Sequence, residues 1–148
     1  MTDHLPFAKK LVHNIGLIVL ESQEFERNLK LLVAATEVSG DSSIIEQHKL
    51  LERRSLGEVV KRFWRNVTVT EGDPEEIRAY FKFLLDRRNK VVHHFFETYA
   101  EDLNASRHTE ILGSLAQLHT ELRAASASFR SANQKFLDAL QEEQPLAS

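Results

Sequence analysis

Apolar residues recur along most of this chain in alternating steps of four and three, and that rhythm leaves room for little but long helices. Near the N-terminus Leu11, Ile15, Ile18, Ser22, Phe25, Leu29 and Leu32 keep it; toward the other end Ile111, Leu115, Leu118, Leu122, Ala125, Phe129, Ala132 and Phe136 do. Residues so spaced stack into one stripe along a helix, and the stripe has to be buried against something. Only 5 Gly and 3 Pro interrupt 148 residues, too few for the many turns of a β sandwich.

The spacing predicts four helices, over about 5–37, 43–66, 74–99 and 105–142. Residues 39–42, Ser-Gly-Asp-Ser, end the first and offer a cap for the second. The second faces inward with Leu56, Val59, Val60 and Phe63, while Ile44, Ile45, Leu50 and Leu51 come less regularly in pairs. Gly57 suggests a close approach of neighbouring helices. Residues 67–70 are β-branched and read as extended. Asp73-Pro74-Glu75-Glu76 is a helix start: a capping acid, Pro at the first position, and carboxylates at the positive end of the dipole. Residues 143–148 read as a frayed tail. Four helices joined by short connections imply one all-α domain over residues 1–148, an antiparallel four-helix bundle.

With no Cys, disulfides, zinc knuckles, iron–sulfur clusters and thiol catalysis drop out, and a cytoplasmic location is the default expectation. The apolar run from Ile15 to Leu20 is short and is followed at once by Glu21, Glu24 and Glu26. No segment approaches the roughly 20 apolar residues that span a bilayer, so no membrane association is expected. Seven His invite a metal site, but a di-iron bundle places Glu three residues before His, and none of the seven has it. Gly-rich phosphate loops and serine-nucleophile turns are missing too. No metal and no cofactor are expected. The net charge of −3 argues against a polyanion binder as a whole but leaves a local patch open. Arg53, Arg54, Lys61, Arg62 and Arg65 gather around Trp64, and with Arg87 and Lys90 they could meet phosphates. Glu52 and Glu58 would equally make that face an ordinary solvated one.

The third helix carries the anomaly. Its stripe reads Ile77, Phe81, Leu84, Arg88, Val91, Phe95 with the spacing intact. Arg88 stands where an apolar residue belongs, and a guanidinium cannot shed its charge on burial. Asn89 lies beside it, and His93 follows one turn after Asn89. Glu26 occupies a similar place on the first helix, among Val12, Ile15, Val19, Ser22, Leu29 and Val33. The expectation is that Glu26 and Arg88 pair across the bundle and that Glu26 orients the guanidinium toward a groove. A polar network that only fixes helix register would use the same residues.

The string Asp86-Arg87-Arg88-Asn89-Lys90-Val91-Val92-His93-His94-Phe95-Phe96 resembles the signature of HEPN-domain proteins, an Arg with a polar neighbour and a His after four to six intervening residues. Arg88-Asn89 with His93 fits; so do Arg88 with His94 and Arg87 with either His. The resemblance implies a compact helical domain that commonly dimerises with its motifs facing one another. Many members are metal-independent endoribonucleases in toxin–antitoxin, phage-defence or RNA-processing systems. Others only bind RNA, nucleotides or partner proteins, the alternative function for this chain. On this resemblance Arg88, Asn89, His93 and His94 are the candidate catalytic residues, and Arg87, Lys90, Lys61, Arg62 and Arg65 the candidate substrate contacts. The expected partners are RNA, a second copy of the chain, and an antitoxin or regulatory protein. One toxin subgroup has a modifiable Tyr two residues after the motif His. Here Phe95 and Phe96 hold those places and Tyr99 is out of register, which argues against that subgroup.

Overall fold

The computed structural model describes residues 6–37, 43–68 and 71–143, all helix or connection with no strand among them. The order is α1 (Phe7–Thr36), α2 (Ile44–Leu51), α3 (Leu56–Asn66), α4 (Pro74–Thr98), α5 (Ala100–Asn104) and α6 (His108–Glu143). The expected all-helical class holds, with six helices in place of four. The proposed cap at residues 39–42 and residues 144–148 of the expected tail lie outside the described residues, while Glu143 still belongs to α6.

The second expected helix is two. Ser55 is extended, at φ −65° and ψ 154°, and its hydroxyl accepts the Glu58 amide at 3.3 Å, so a new helix starts there. A serine side chain gives the backbone this alternative to continuing a helix. α2 has its own start, a capping box in which Ser43 Oγ accepts from the Glu46 amide and the Glu46 carboxylate accepts from the Ser43 amide. Gly57 brings no helix close among the described residues: a methyl group there would meet only Ser55 Oγ, at 4.0 Å. Val67 is extended as expected, while residues 69–70 lie outside the described residues.

α4 begins as the sequence indicates. Asp73 Oδ1 accepts the Glu75 amide at 3.0 Å and Pro74 opens the helix. Gly72 just before it has φ +84°, a value that favours glycine. The helix is kinked at His94, with φ −136° and ψ 33°. After Tyr99 the chain makes the single turn of α5, which the sequence reading placed in a connection.

The chain groups into two compact units. The first takes the described residues up to Gln23 with Glu71–Ala124. Its buried apolar residues include Ile18 of α1, Leu84, Val91 and Phe95 of α4, and Ile111, Leu115, Leu118 and Leu122 of α6. The second runs from Glu24 through α2 and α3 and resumes at Ala125. It buries Phe25, Leu29, Val33 and Ala34 of α1 with Leu51, Val59, Phe63 and Phe129. Phe129 is its hub, with ring centroids 5.2 Å from Phe25 and 5.6 Å from Phe63 in edge-to-face geometry. Asn28 is matched inside this unit, donating to Ser126 Oγ at 3.1 Å while its carbonyl accepts from Asn133 at 3.0 Å, whereas His48 Nε2 is buried without a partner among the described residues. The expected stripes thus coincide with burial, save at edges such as Val12, Ile45 and Leu50, which are exposed.

Candidate functional site on helix α4

Arg88 sits on the α4 stripe between buried Leu84 and Val91. It is half-buried, and Nη1 donates to Asn89 Oδ1 at 2.8 Å. Its Nε is buried and finds no acceptor among the described residues. A buried donor left without any acceptor costs about 1–3 kcal/mol. Asn89 itself is exposed.

The expected Glu26–Arg88 pair gives way to local partners. Glu26 Oε1 lies 2.9 Å from Lys30 Nζ, one turn further along α1. Lys30 is buried and also donates to the Glu52 carbonyl at 3.2 Å. A buried ammonium needs a counter-charge, and one four residues away on the same helix answers that need. Glu26 serves Lys30 in the second unit, and Arg88 stands in the first with Asn89.

His93 and His94 are both exposed, with ring centroids 6.4 Å apart. His94, at the kink, turns toward Glu97, with Nδ1 3.5 Å from Oε2. Arg87 takes another direction from its neighbour Arg88. Its Nη1 meets Glu121 Oε2 of α6 at 2.7 Å, Nη2 donates to the Ser114 carbonyl at 3.4 Å, and the guanidinium lies 5.3 Å from the Phe83 ring centre. Lys90 is exposed and has no carboxylate partner among the described residues.

The cations on and just before α3 divide similarly. Arg62 Nε lies 3.7 Å from Glu37 and Arg54 lies 3.7 Å from Glu58. Lys61 and Arg65 are exposed, without a carboxylate among the described residues. Together these side chains line an open cleft of about 480 Å³. Trp64 is half-buried with its ring 5.0 Å from Phe63. This cleft belongs to the second unit and the Arg88–His93 motif to the first.

A cleft of about 260 Å³ opens in the first unit between Arg87, Lys90, Val91, Thr98, Tyr99 and Ser114. The Tyr99 hydroxyl and Ser114 Oγ are 3.0 Å apart, and the Tyr99 ring packs 5.0 Å from Phe95. Arg87 and Lys90 are among the candidate contacts expected from the sequence, whereas Thr98 and Ser114 are not, since a hydroxyl beside an apolar stripe carries no periodic signal. Nearby, burial and then the Glu121 carboxylate push the Tyr80 hydroxyl above the usual pKa of 10.0, with Arg87 opposing.

Among the described residues no three His, Asp or Glu side chains gather as metal ligands, and no helix is long and apolar enough to cross a membrane. No family model matches the chain, and no curated protein or solved structure matches it.

Proposed function

We propose that the chain is an HEPN-like, metal-independent endoribonuclease that acts as a homodimer in a toxin–antitoxin or phage-defence setting in the cytoplasm. On this reading α1, the broken α2–α3 pair, α4 and α6 are the members of an antiparallel four-helix bundle, and α5 is an added turn. The observation that carries the reading is two exposed imidazoles, His93 and His94, with ring centroids 6.4 Å apart on the helix that holds Arg88.

RNA brings its own nucleophile. The 2′-hydroxyl attacks the neighbouring phosphorus, its proton passes to a base, and the departing 5′-oxygen takes a proton from an acid, leaving a 2′,3′-cyclic phosphate. Imidazoles suit both transfers near neutral pH. His93 is the base on this reading, and His94, or His93 of a second copy, is the acid. Arg88, held by Asn89, stabilises the charge that builds on the phosphate. Lys90 and the α3 cations Lys61, Arg62 and Arg65 would attract the backbone. A small antitoxin or regulatory partner covering the motif would silence it.

The test is cleavage of mixed cellular RNA, with EDTA present, by the wild-type chain and by His93→Ala. Cleavage by the wild type alone, with cyclic-phosphate ends, is expected. RNA binding without cleavage by a folded wild-type protein would sink the nuclease reading and select a non-catalytic binding module.

A further inference from the structure

We propose that the cleft beside the His94 kink is a subsite for a singly charged phosphodiester. In a regular helix residue 94 would lie on one face between Val91 and Thr98, in steps of three and four, and would fill the space between them. Here His94 leaves helical geometry and turns to Glu97. The cleft of about 260 Å³ is lined by Val91 and Thr98 but not by His94. The kink vacates the groove.

The lining is made for an oxyanion. Thr98, Tyr99 and Ser114 bring hydroxyls and Lys90 brings an ammonium. The Tyr99–Ser114 contact, at 3.0 Å, uses one hydroxyl hydrogen and leaves the other to donate to a ligand. Glu121 is held against Arg87, at 2.7 Å. That pair cancels, so the net charge presented by the lining is the single positive charge of Lys90, which matches a phosphodiester better than a doubly charged monoester. The volume also suits a group rather than a whole small molecule, because pockets for the latter begin at about 300 Å³. The ligand's identity as RNA backbone rests on the ribonuclease reading; the oxyanion chemistry does not.

The experiment uses the full chain and a labelled, uncleavable 2′-O-methyl RNA, followed by fluorescence anisotropy, with inorganic phosphate and a nucleoside 5′-monophosphate as competitors. The oligonucleotide should bind and the two small anions should compete poorly. Lys90→Gln should weaken binding about tenfold or more, the loss of one charge-assisted contact, and Ser114→Ala should weaken it severalfold. Lys90 is exposed, so its replacement leaves the core intact. No binding by the wild type, unchanged binding in both variants, or small anions competing as well as the oligonucleotide would each overturn the proposal. A chain that binds through this cleft but never cleaves RNA refutes the nuclease reading alone. A chain that cleaves while both variants bind like the wild type refutes the subsite alone.

Discussion

Arg87 and Glu121 meet between α4 and α6 with Nη1 2.7 Å from Oε2, and each side chain is about four-fifths buried. Two adjacent arginines therefore do different jobs. Arg87 ties α4 to α6, whereas Arg88 keeps a buried donor without an acceptor among the described residues.

Glu121→Ala should lower stability by about 1–2 kcal/mol, between the values for exposed and fully buried pairs. Urea unfolding would measure it; no loss would mean that the pair is only incidental.

Glu121→Gln should also bring the Tyr80 pKa down toward 10.0, since burial and then Glu121 hold it up. A raised phenol pKa favours the neutral form in the folded chain. That contribution is complete below pH 10 and is lost as pH rises through the raised value. Ultraviolet titration of the phenolate in the two proteins would show the shift, and identical curves would refute the coupling.

Replacing Arg88 by Leu restores the stripe between Leu84 and Val91 and removes the orphaned Nε. Stability should stay level or rise by about 1 kcal/mol, while any RNA cleavage disappears. A sharp loss of stability would instead make the Arg88–Asn89 contact structural.

The helices were legible where burial imposes a period. Ile18, Phe25, Leu29, Leu84, Val91, Ile111, Leu115, Leu118 and Leu122 are all buried, and each stands on an expected stripe. The break at Ser55 had a signal, a capping serine three residues before Glu58, masked by the apolar residues on either side. Lys30, four residues after Glu26, was likewise readable as its partner. The kink at His94 was not readable, because no Pro or Gly marks it. Nor was the Tyr99–Ser114 contact, which exists only once α4 and α6 are side by side.

Phe129→Ala should cost about 3–5 kcal/mol, the range for an aromatic side chain removed from a core, because its ring packs edge-to-face on both Phe25 and Phe63. Thermal unfolding would measure this, and a cost below about 1 kcal/mol would contradict the hub.

Burial of Glu24 works against its charge, but Arg130 at 3.1 Å and Arg27 at 3.0 Å, with Asn28, outweigh it and hold its pKa below 4.5. A lowered carboxylate pKa stabilises the fold above about pH 4.5, and the benefit fades as pH falls through the lowered value. Glu24→Gln should therefore be less stable than the wild type near neutrality, by up to about 1 kcal/mol, with the gap closing in acid. A gap that persists in acid would assign the effect to packing.

The Glu52 carbonyl reaches Lys30 because α2 stops there. In an uninterrupted helix it would accept the amide four residues on, and the ammonium would keep only Glu26. The gap between α2 and α3 thus acts as solvent for a charge held away from water: a turn of backbone does the hydrating, and a sequence edited into a better helix there would leave its lysine dry.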